Sequence, residues 1–487
     1  MTDRSQTAHD ATDYSRRVVL VGGSGVAGAA SARALLSRGA DVTVLDRAAS
    51  PALDELARAG ARTVVAGAPP AGLLDGVTDV VVSPGFPPTH PLAVAAARAG
   101  IEVYSEPELA WRLRGPDAPP WLAVTGTNGK TTTVTMLAAI LRAAGLRAQA
   151  LGNIGRPLVD AAVDPGYDVL AVELSSFQLH WSRRLAPRAA AILNLADDHL
   201  DWHGGFDAYA AAKTAIWRSA TPAAEGVAVG NLDDPRVAGL LRTVTGDVVG
   251  VTAGDPAPGQ FGVIDGVLVE HGRCAAPTAL IEAMAVRPAG AHNVSNALHA
   301  AALARALGVP FGAVGDGLRG YVPEPHRNAP VADVAGVRYV DDSKATNPHA
   351  ALASLTGCSR LVWVAGGQLK GVDVAPLVAE VAHRLVGAVL LGVDRGLIAE
   401  ALRRHAPDLP VIEVASTDDG AMGEAVRAAA RLAAPGDTVV LAPAAASKDM
   451  FVDYAARGEA FADAVRALAT GAARAGAAGA GDPAASG

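Results

Sequence analysis

The stretch Thr125-Gly126-Thr127-Asn128-Gly129-Lys130-Thr131-Thr132 decides how this 487-residue chain is read. It follows the apolar run Leu122-Ala123-Val124 and precedes a helical pattern. A short apolar run bounded by turn residues reads as a buried parallel strand. Glycines let the backbone turn tightly beyond it, so amide N–H groups and the N-terminus of the next helix face one point. Phosphate oxygens suit such a point: Lys130 would neutralise the outer phosphates, and the Thr131 hydroxyl would sit on Mg2+. The loop is two residues shorter than G-x-x-x-x-G-K-[ST]. An ordinary glycine turn is the bland alternative, and it leaves the lysine and two threonines unexplained.

The strand–turn–helix pattern recurs on both sides. Upstream, Val18-Val19-Leu20-Val21 leads into Gly23-Ser24-Gly25-Val26-Ala27-Gly28, a helical pattern over 29–38, a strand over 41–45 and then Asp46. This matches the dinucleotide fingerprint, with Asp46 where a ribose-binding acid would lie. It fits NAD, any nucleotide diphosphate seated on that helix, or a purely structural turn. Ser83-Pro84-Gly85 closes the strand 80–82 on the same sheet edge and would add a second wall.

Downstream, Glu173-Leu174-Ser175-Ser176-Phe177-Gln178-Leu179 ends the strand 169–172. A carboxylate there, in the same sheet as the phosphate loop, is placed for a phosphate-bound Mg2+. Asn194-Leu195-Ala196-Asp197-Asp198-His199-Leu200-Asp201-Trp202-His203 is dense in acids and imidazoles. For Asp201 and His203 a solvated loop competes with a functional role. Lys213, taken alone, reads as a surface lysine. Asn293 and Asn296 share one helix face and could read a purine edge or make a capping contact. Three further polar loops follow strands: 341–348 with Lys344 and Thr346, 366–370 with Lys370, and 443–451 with Ser447. Together they suggest a site for an anionic amino acid; helix capping by Asp342 and Ser447 is the alternative.

Alternating strands and helices imply an α/β protein with a mainly parallel sheet in each domain. Three domains are expected. These are a Rossmann-like domain over 17–114, a central P-loop ATPase-like domain over 121–322 and a Rossmann-like domain over 326–468. Proline-rich joints at 115–120 and 323–325 separate them, the second a candidate hinge. Residues 1–16 and the Ala/Gly/Pro/Ser-rich 471–487 are expected to be disordered tails.

Composition narrows the function. Net charge is −8 and no basic block occurs, which disfavours nucleic acid. No run of about 18 apolar residues is free of Gly, Pro or charge, so no membrane span is indicated. The polar N-terminus lacks a signal-peptide core, which points to the cytoplasm. Cys274 and Cys358 are too few for a disulfide framework or zinc site, and are expected to be small buried hydrophobes.

Taken in order, these motifs resemble the Mur ligases of peptidoglycan synthesis, from about Val18 to about Leu468. The specific ones are Thr-Gly-Thr-Asn-Gly-Lys, Glu-Leu-Ser-Ser-Phe-Gln-Leu, Asp-Asp-His-Leu-Asp and Asp-Ser-Lys-Ala-Thr-Asn. The resemblance implies a monomer that joins D-glutamate to UDP-N-acetylmuramoyl-L-alanine, using ATP and two Mg2+. Ser24, Gly25, Val26, Asp46, Ser83, Pro84 and Gly85 would hold the UDP part, and Asn153 the muramoyl part. Gly126 to Thr132, with Asn293, Asn296, Arg327 and Asp342, would frame ATP. Thr131 and Glu173 would share one Mg2+. His199 would ligate a second, with Lys213 as a carbamate. Lys130, Glu173, His199 and Lys213 would be the catalytic set. Lys344, Thr346, Lys370, Ser447 and Tyr454 would face D-glutamate, although Lys370 lacks the acidic neighbour frequent in the family and Tyr454 stands where Phe is frequent. The alternatives are another Mur-type or folate-glutamate ligase, a non-catalytic ATP-dependent switch, and a nicotinamide-dependent dehydrogenase built on the first glycine turn.

Overall fold

The computed structural model describes residues 12–479 apart from 417 and 419, with side chains as far as residue 471. Two compact units carry the fold: Met1–Val286 with Asn293–Tyr321, and Arg287–His292 with Val322–Gly487.

The first unit holds two sheets. One has the parallel strands β1 (Val18–Gly22), β2 (Asp41–Asp46), β3 (Arg62–Val65), β4 (Asp79–Val82) and β5 (Glu102–Ser105), in the order β3-β2-β1-β4-β5. Strand order reverses between β1 and β4, which opens a crevice beyond their carboxyl ends. The second sheet contains β6 (Trp121–Thr125), β7 (Ala148–Gly152), β8 (Val169–Glu173), β9 (Ala189–Ile192), β10 (Val227–Asn231), β11 (Asp247–Val251), β12 (Gln260–Ile264), β13 (Val267–His271) and β14 (Pro277–Glu282). Its order is β14-β13-β12-β11-β10-β9-β6-β8-β7, parallel from β7 to β12 and antiparallel at β13 and β14. β6 and β8 are buried along their whole length, as strands covered on both faces must be. Register sets Val124 between Glu173 of β8 and Ala191 of β9, so three strand ends meet at one place.

Helix Lys130–Ala143 leaves that place and is backed by helix Phe311–Arg319. A Cβ added at Gly317 would lie 2.4 Å from the Cα of Ile140, so only glycine permits this approach. The two sheets of the unit are joined through helix Glu106–Leu113. The Glu108 carboxylate, fully buried, accepts N–H bonds from Arg183, Arg184 and Leu185 and one from Arg112 Nε. Glu106 accepts the Val159 N–H at 2.7 Å, and burial pushes its carboxyl up to about 7. Backbone amides are what make two buried acids tolerable at this junction.

The second unit forms the sheet β15 (Ala329–Val334), β16 (Val337–Asp341), β17 (Leu361–Gly366), β18 (Leu385–Leu391), β19 (Val411–Glu413) and β20 (Thr438–Leu441), in the order β15-β16-β20-β17-β18-β19. All its pairings are parallel except β15 with β16. Three largely parallel sheets match the expected α/β class.

Four expectations need correction. Residues 12–16 are not a loose tail: Tyr14 is 1% exposed with its hydroxyl 3.0 Å from that of Tyr104, and the Thr12 N–H bonds to Arg112 O. The final helix runs Tyr454–Gly479, through the start of the expected C-terminal tail, because an alanine-rich run has high helix propensity. Residues 1–11 and 480–487 lie outside the described residues. Cys274 is exposed rather than buried, since it sits in the turn joining β13 to β14, and Cys358 is half-buried. Lys213 is 2% exposed, not a surface lysine. Among the described residues no helix is long and apolar enough to cross a membrane.

Candidate active site

The loop after β6 is built by its own backbone and braced from β9. Gly129 adopts φ +82°, and a Cβ there would meet Asn296 Oδ1 at 2.5 Å. Glycine is therefore required twice over, for conformation and for space. The Asn128 N–H donates to Asn194 Oδ1 at 2.8 Å, and Asn194 Nδ2 donates back to Asn128 O at 3.2 Å. Thr127 Oγ1 lies 2.8 Å from the Tyr209 hydroxyl and accepts the Ala196 N–H at 2.9 Å. Lys130 Nζ donates to Gly126 O at 3.0 Å and Thr127 O at 2.8 Å, so its ammonium lies over the loop that would cradle phosphates. Asn296 is buried against the loop and donates to Asn293 Oδ1 at 3.1 Å, which brings both asparagines to its edge.

Two neighbouring groups give the loop its chemistry. Thr131 Oγ1 donates to Glu173 Oε2 at 2.7 Å, and Glu173 Oε1 accepts from Asn153 Nδ2 at 2.9 Å. The sequence-chosen residues of three loops are thus linked in one line: Thr131, Glu173 and Asn153. Lys213 Nζ donates to Gly126 O at 2.7 Å, the carbonyl that Lys130 also uses, and lies 4.8 Å from the Tyr209 ring centre. Burial, with Lys130 beside it, pushes the Lys213 amine well below the usual lysine range.

Hard oxygen donors at Thr131 and Glu173 fit Mg2+, which takes one or two protein oxygens and completes its shell with phosphate and water. Among the described residues no three His, Cys, Asp or Glu side chains converge in the arrangement of a metal site. His199 has φ +53° and a side chain 43% exposed, with its Nε2 3.5 Å from Asp198 Oδ2 and its ring 4.6 Å from that of Phe177. Asp201 is exposed, whereas His203 is buried, its Nε2 3.0 Å from Ser176 Oγ. Burial, with His180, His199 and Lys213 nearby, pushes His203 down to about 4.

In the N-terminal crevice, Asp46 Oδ2 accepts both the Ser24 N–H at 2.7 Å and its hydroxyl at 2.6 Å. A Cβ on Gly23 would meet Ser83 Oγ at 2.8 Å, and that Oγ is buried without a hydrogen-bond partner. An orphan hydroxyl beside a glycine turn fits a ligand oxygen. Gly25 and Gly85 border open space and Val26 is exposed, while Pro84 is half-buried between them.

In the second unit, the loops after β16, β17 and β20 are tied together by a residue that the sequence reading missed. Arg457, 1% exposed, donates to Ser343 Oγ and O, Gly366 O and Ala445 O, and burial lowers it to about 10. Gln368 and Ala446 exchange N–H···O bonds, which joins the Lys370 loop to the Ser447 loop. Lys344 Nζ stands 3.6 Å from the Tyr454 ring centre, Thr346 is half-buried, Lys370 is exposed with φ +53°, and Ser447 is buried. Asp342 accepts from the Asn328 N–H and from Ser354; burial pushes it up to about 6, against the pull of Arg327. The helix after this loop is capped by Asn347, not Asp342. No motif marks Arg457, which is one of three arginines in an alanine-rich helix.

Three family models match along the chain. They are the Mur ligase MurD-like N-terminal domain over 16–105, the Mur ligase middle domain over 124–304, and the Mur ligase glutamate ligase domain over 326–445. A UDP-N-acetylmuramoylalanine--D-glutamate ligase of Thermobifida fusca is 54% identical over 470 residues, covering 93% of this chain and 99% of the relative. The chain belongs to the Mur ligase family. The same-named ligase of Streptomyces avermitilis is 51% identical, covering 94% of this chain and 99% of the relative. Among solved structures, a pseudomurein peptide ligase type C from Methanothermus fervidus aligns with a TM-score of 0.56 at 21% identity, covering 93% of this chain and all of that one. A UDP-N-acetylmuramate-alanine ligase from Thermotoga maritima aligns with a TM-score of 0.55 at 18% identity, covering 93% and 99%. These two share the fold. As a Mur ligase, the chain has a reason to carry both an N-terminal crevice and a phosphate loop in one polypeptide.

Proposed function

We propose that the chain is an ATP-dependent ligase that adds D-glutamate to UDP-N-acetylmuramoyl-L-alanine in peptidoglycan precursor synthesis, working in the cytoplasm. The observation that carries this reading is the line Thr131–Glu173–Asn153, which joins a phosphate loop to a substrate-side asparagine. Near-full-length identity to ligases of that name supports the choice of amino acid.

A carboxylate is a poor electrophile, and its own charge repels a γ-phosphate. Mg2+, held by Thr131 and Glu173 with His199 and Lys213 at a second position, would screen that repulsion. Lys130 leaves its two carbonyls and pairs with the phosphate oxygens, a preorganised cation where negative charge grows. Asn153 fixes the rotamer of Glu173 and presents its remaining donor to the acceptor substrate. Transfer of the γ-phosphoryl group to the substrate carboxylate gives ADP and an acyl phosphate. The neutral amine of D-glutamate attacks that carbonyl, the C–N bond forms, and phosphate leaves with the C–O electron pair. Lys344, Thr346, Lys370, Ser447 and Tyr454 form a polar pocket suited to the two carboxylates of the amino acid. Lys213, whose amine burial shifts toward its neutral form, adds CO2 to give a carbamate and a proton, turning a nitrogen into an oxygen donor. The UDP part rests on Ser24, Gly25, Val26, Asp46, Ser83, Pro84 and Gly85.

A nicotinamide-dependent dehydrogenase would leave the Thr131–Glu173 contact without a task, and no NADH binding is expected by fluorescence. The direct test is phosphate release across a panel of UDP-muramoyl acceptors and amino acids. Release is expected only with UDP-N-acetylmuramoyl-L-alanine and D-glutamate together; release with no acceptor, or with another amino acid preferred, would overturn the reading.

A further inference from the structure

Sequence alone left His203 between loop and site, and the mechanism above gives it no task. We propose that His203 is a positioning residue that holds the His199 imidazole in its working orientation through the ring of Phe177. The inference rests on the reading of His199 as a metal ligand, which the experiment below tests separately.

The contacts run in one direction. His203 is 9% exposed, and its Nε2 lies 3.0 Å from the hydroxyl of Ser176, in the segment that continues from Glu173. Its ring is stacked on Phe177, with planes 19° apart and centres 5.8 Å apart. Phe177 in turn lies 4.6 Å from His199 and 4.6 Å from Trp202. On its other side His203 meets Tyr209 at 5.4 Å, and Tyr209 reaches Thr127 of the phosphate loop. A chain that is only 4% aromatic has concentrated rings between the acid-bearing strand end and the phosphate loop. Aromatic pairs fix each other's tilt as well as adding burial.

His199 needs such a fix. Its backbone occupies the left-handed region, uncommon for residues other than glycine. Its side chain is 43% exposed and packs against the ring of Phe177, so that ring bears on its orientation. Plain packing does not explain His203, because its Nδ1 is buried without a hydrogen-bond partner, a cost an apolar ring would avoid. What the imidazole adds is the Ser176 contact, which pins the plane on which Phe177 lies.

The test is a double-mutant cycle on the full chain, reading phosphate release and thermal melting for His203→Ala, His199→Ala and the pair. His203→Ala is expected to lower kcat about tenfold, with KM for ATP and for D-glutamate within about twofold, a split that general loosening would not produce. In the His199→Ala background the same change is expected to cost less than about twofold, since a residue acting through His199 has nothing left to act on. His203→Phe keeps the stacked plate but loses the Ser176 contact, and is expected to recover only part of the lost kcat. An equal drop in both backgrounds, with His199→Ala itself impaired, overturns the positioning role and leaves the His199 reading standing. Full turnover in His199→Ala alone overturns that reading, and this proposal falls with it. Should His203→Ala not fold, Phe177→Leu breaks the same line of contacts and the same cycle decides.

Discussion

Two glycine turns, after β1 and after β6, hold the same place in their sheets and differ in what surrounds them. Each follows a buried parallel strand and opens a helix at a sheet's carboxyl edge. The first turns its nearest acid inward: Asp46 is bonded to Ser24 and holds the turn itself. The second has its acid bonded to a hydroxyl on the helix, with two lysines on one loop carbonyl. A glycine turn offers N–H groups to any phosphate. Whether the phosphate is merely held or made to react depends on the side chains that neighbouring strands aim at it.

The largest expected effect comes from removing the cation of the second turn. Lys130→Ala should lower ADP release by about a thousandfold, while binding of the UDP-linked acceptor, read by calorimetry, stays intact; a mutant with full turnover would end the contrast between the turns. Lys213→Ala should cost about a hundredfold and regain part of the rate with formate or acetate in the assay, whereas unaltered activity would remove the carbamate. Gly129→Ala forces a side chain onto φ +82° and against Asn296. It should raise KM for ATP about tenfold, as a loss of about 1.4 kcal/mol in loop fit implies. In the first turn, Ser24→Ala should raise KM for the UDP-linked acceptor a few-fold and leave KM for ATP unchanged; a rise in both would show that the turns are not separate sites.

The smallest effect is a matter of pH. Burial pushes the Asp46 carboxyl up, but the bonds from Ser24, with the N–H groups of Arg47 and Ala48, outweigh it and hold it below the ordinary 3.8. An acid lowered on folding stabilises above its unfolded value and loses that contribution as pH falls through the folded one. Asp46→Asn should therefore melt earlier than wild type at pH 7, and the gap should close below about pH 3.8. A gap that persists in acid would assign the effect to shape instead of charge.

Contiguity explains what was legible beforehand. The phosphate loop, Glu173 and the three strand-end loops of the second unit each lie within a few residues of an apolar strand, so topology carries each of them to the carboxyl edge of its own sheet. Lys213 was misread because its burial depends on Gly126, which it meets only in the folded chain. Arg457 gave no sign because its partners are backbone carbonyls of three distant loops, and carbonyls have no sequence signature. Tyr14 and Cys274 failed for a related reason: one aromatic in a polar stretch, or one thiol in a hairpin turn, has no periodicity to show whether it is buried or exposed.

At Gly317 the helix behind the phosphate loop touches its neighbour main chain to main chain. Stiffness at the loop is therefore borrowed from a residue that never approaches a nucleotide. Adding even one methyl group there would act as a wedge, shifting the pedestal on which Lys130 and Thr131 stand. An inhibitor that pried those helices apart would silence the enzyme from behind, without competing for anything it binds.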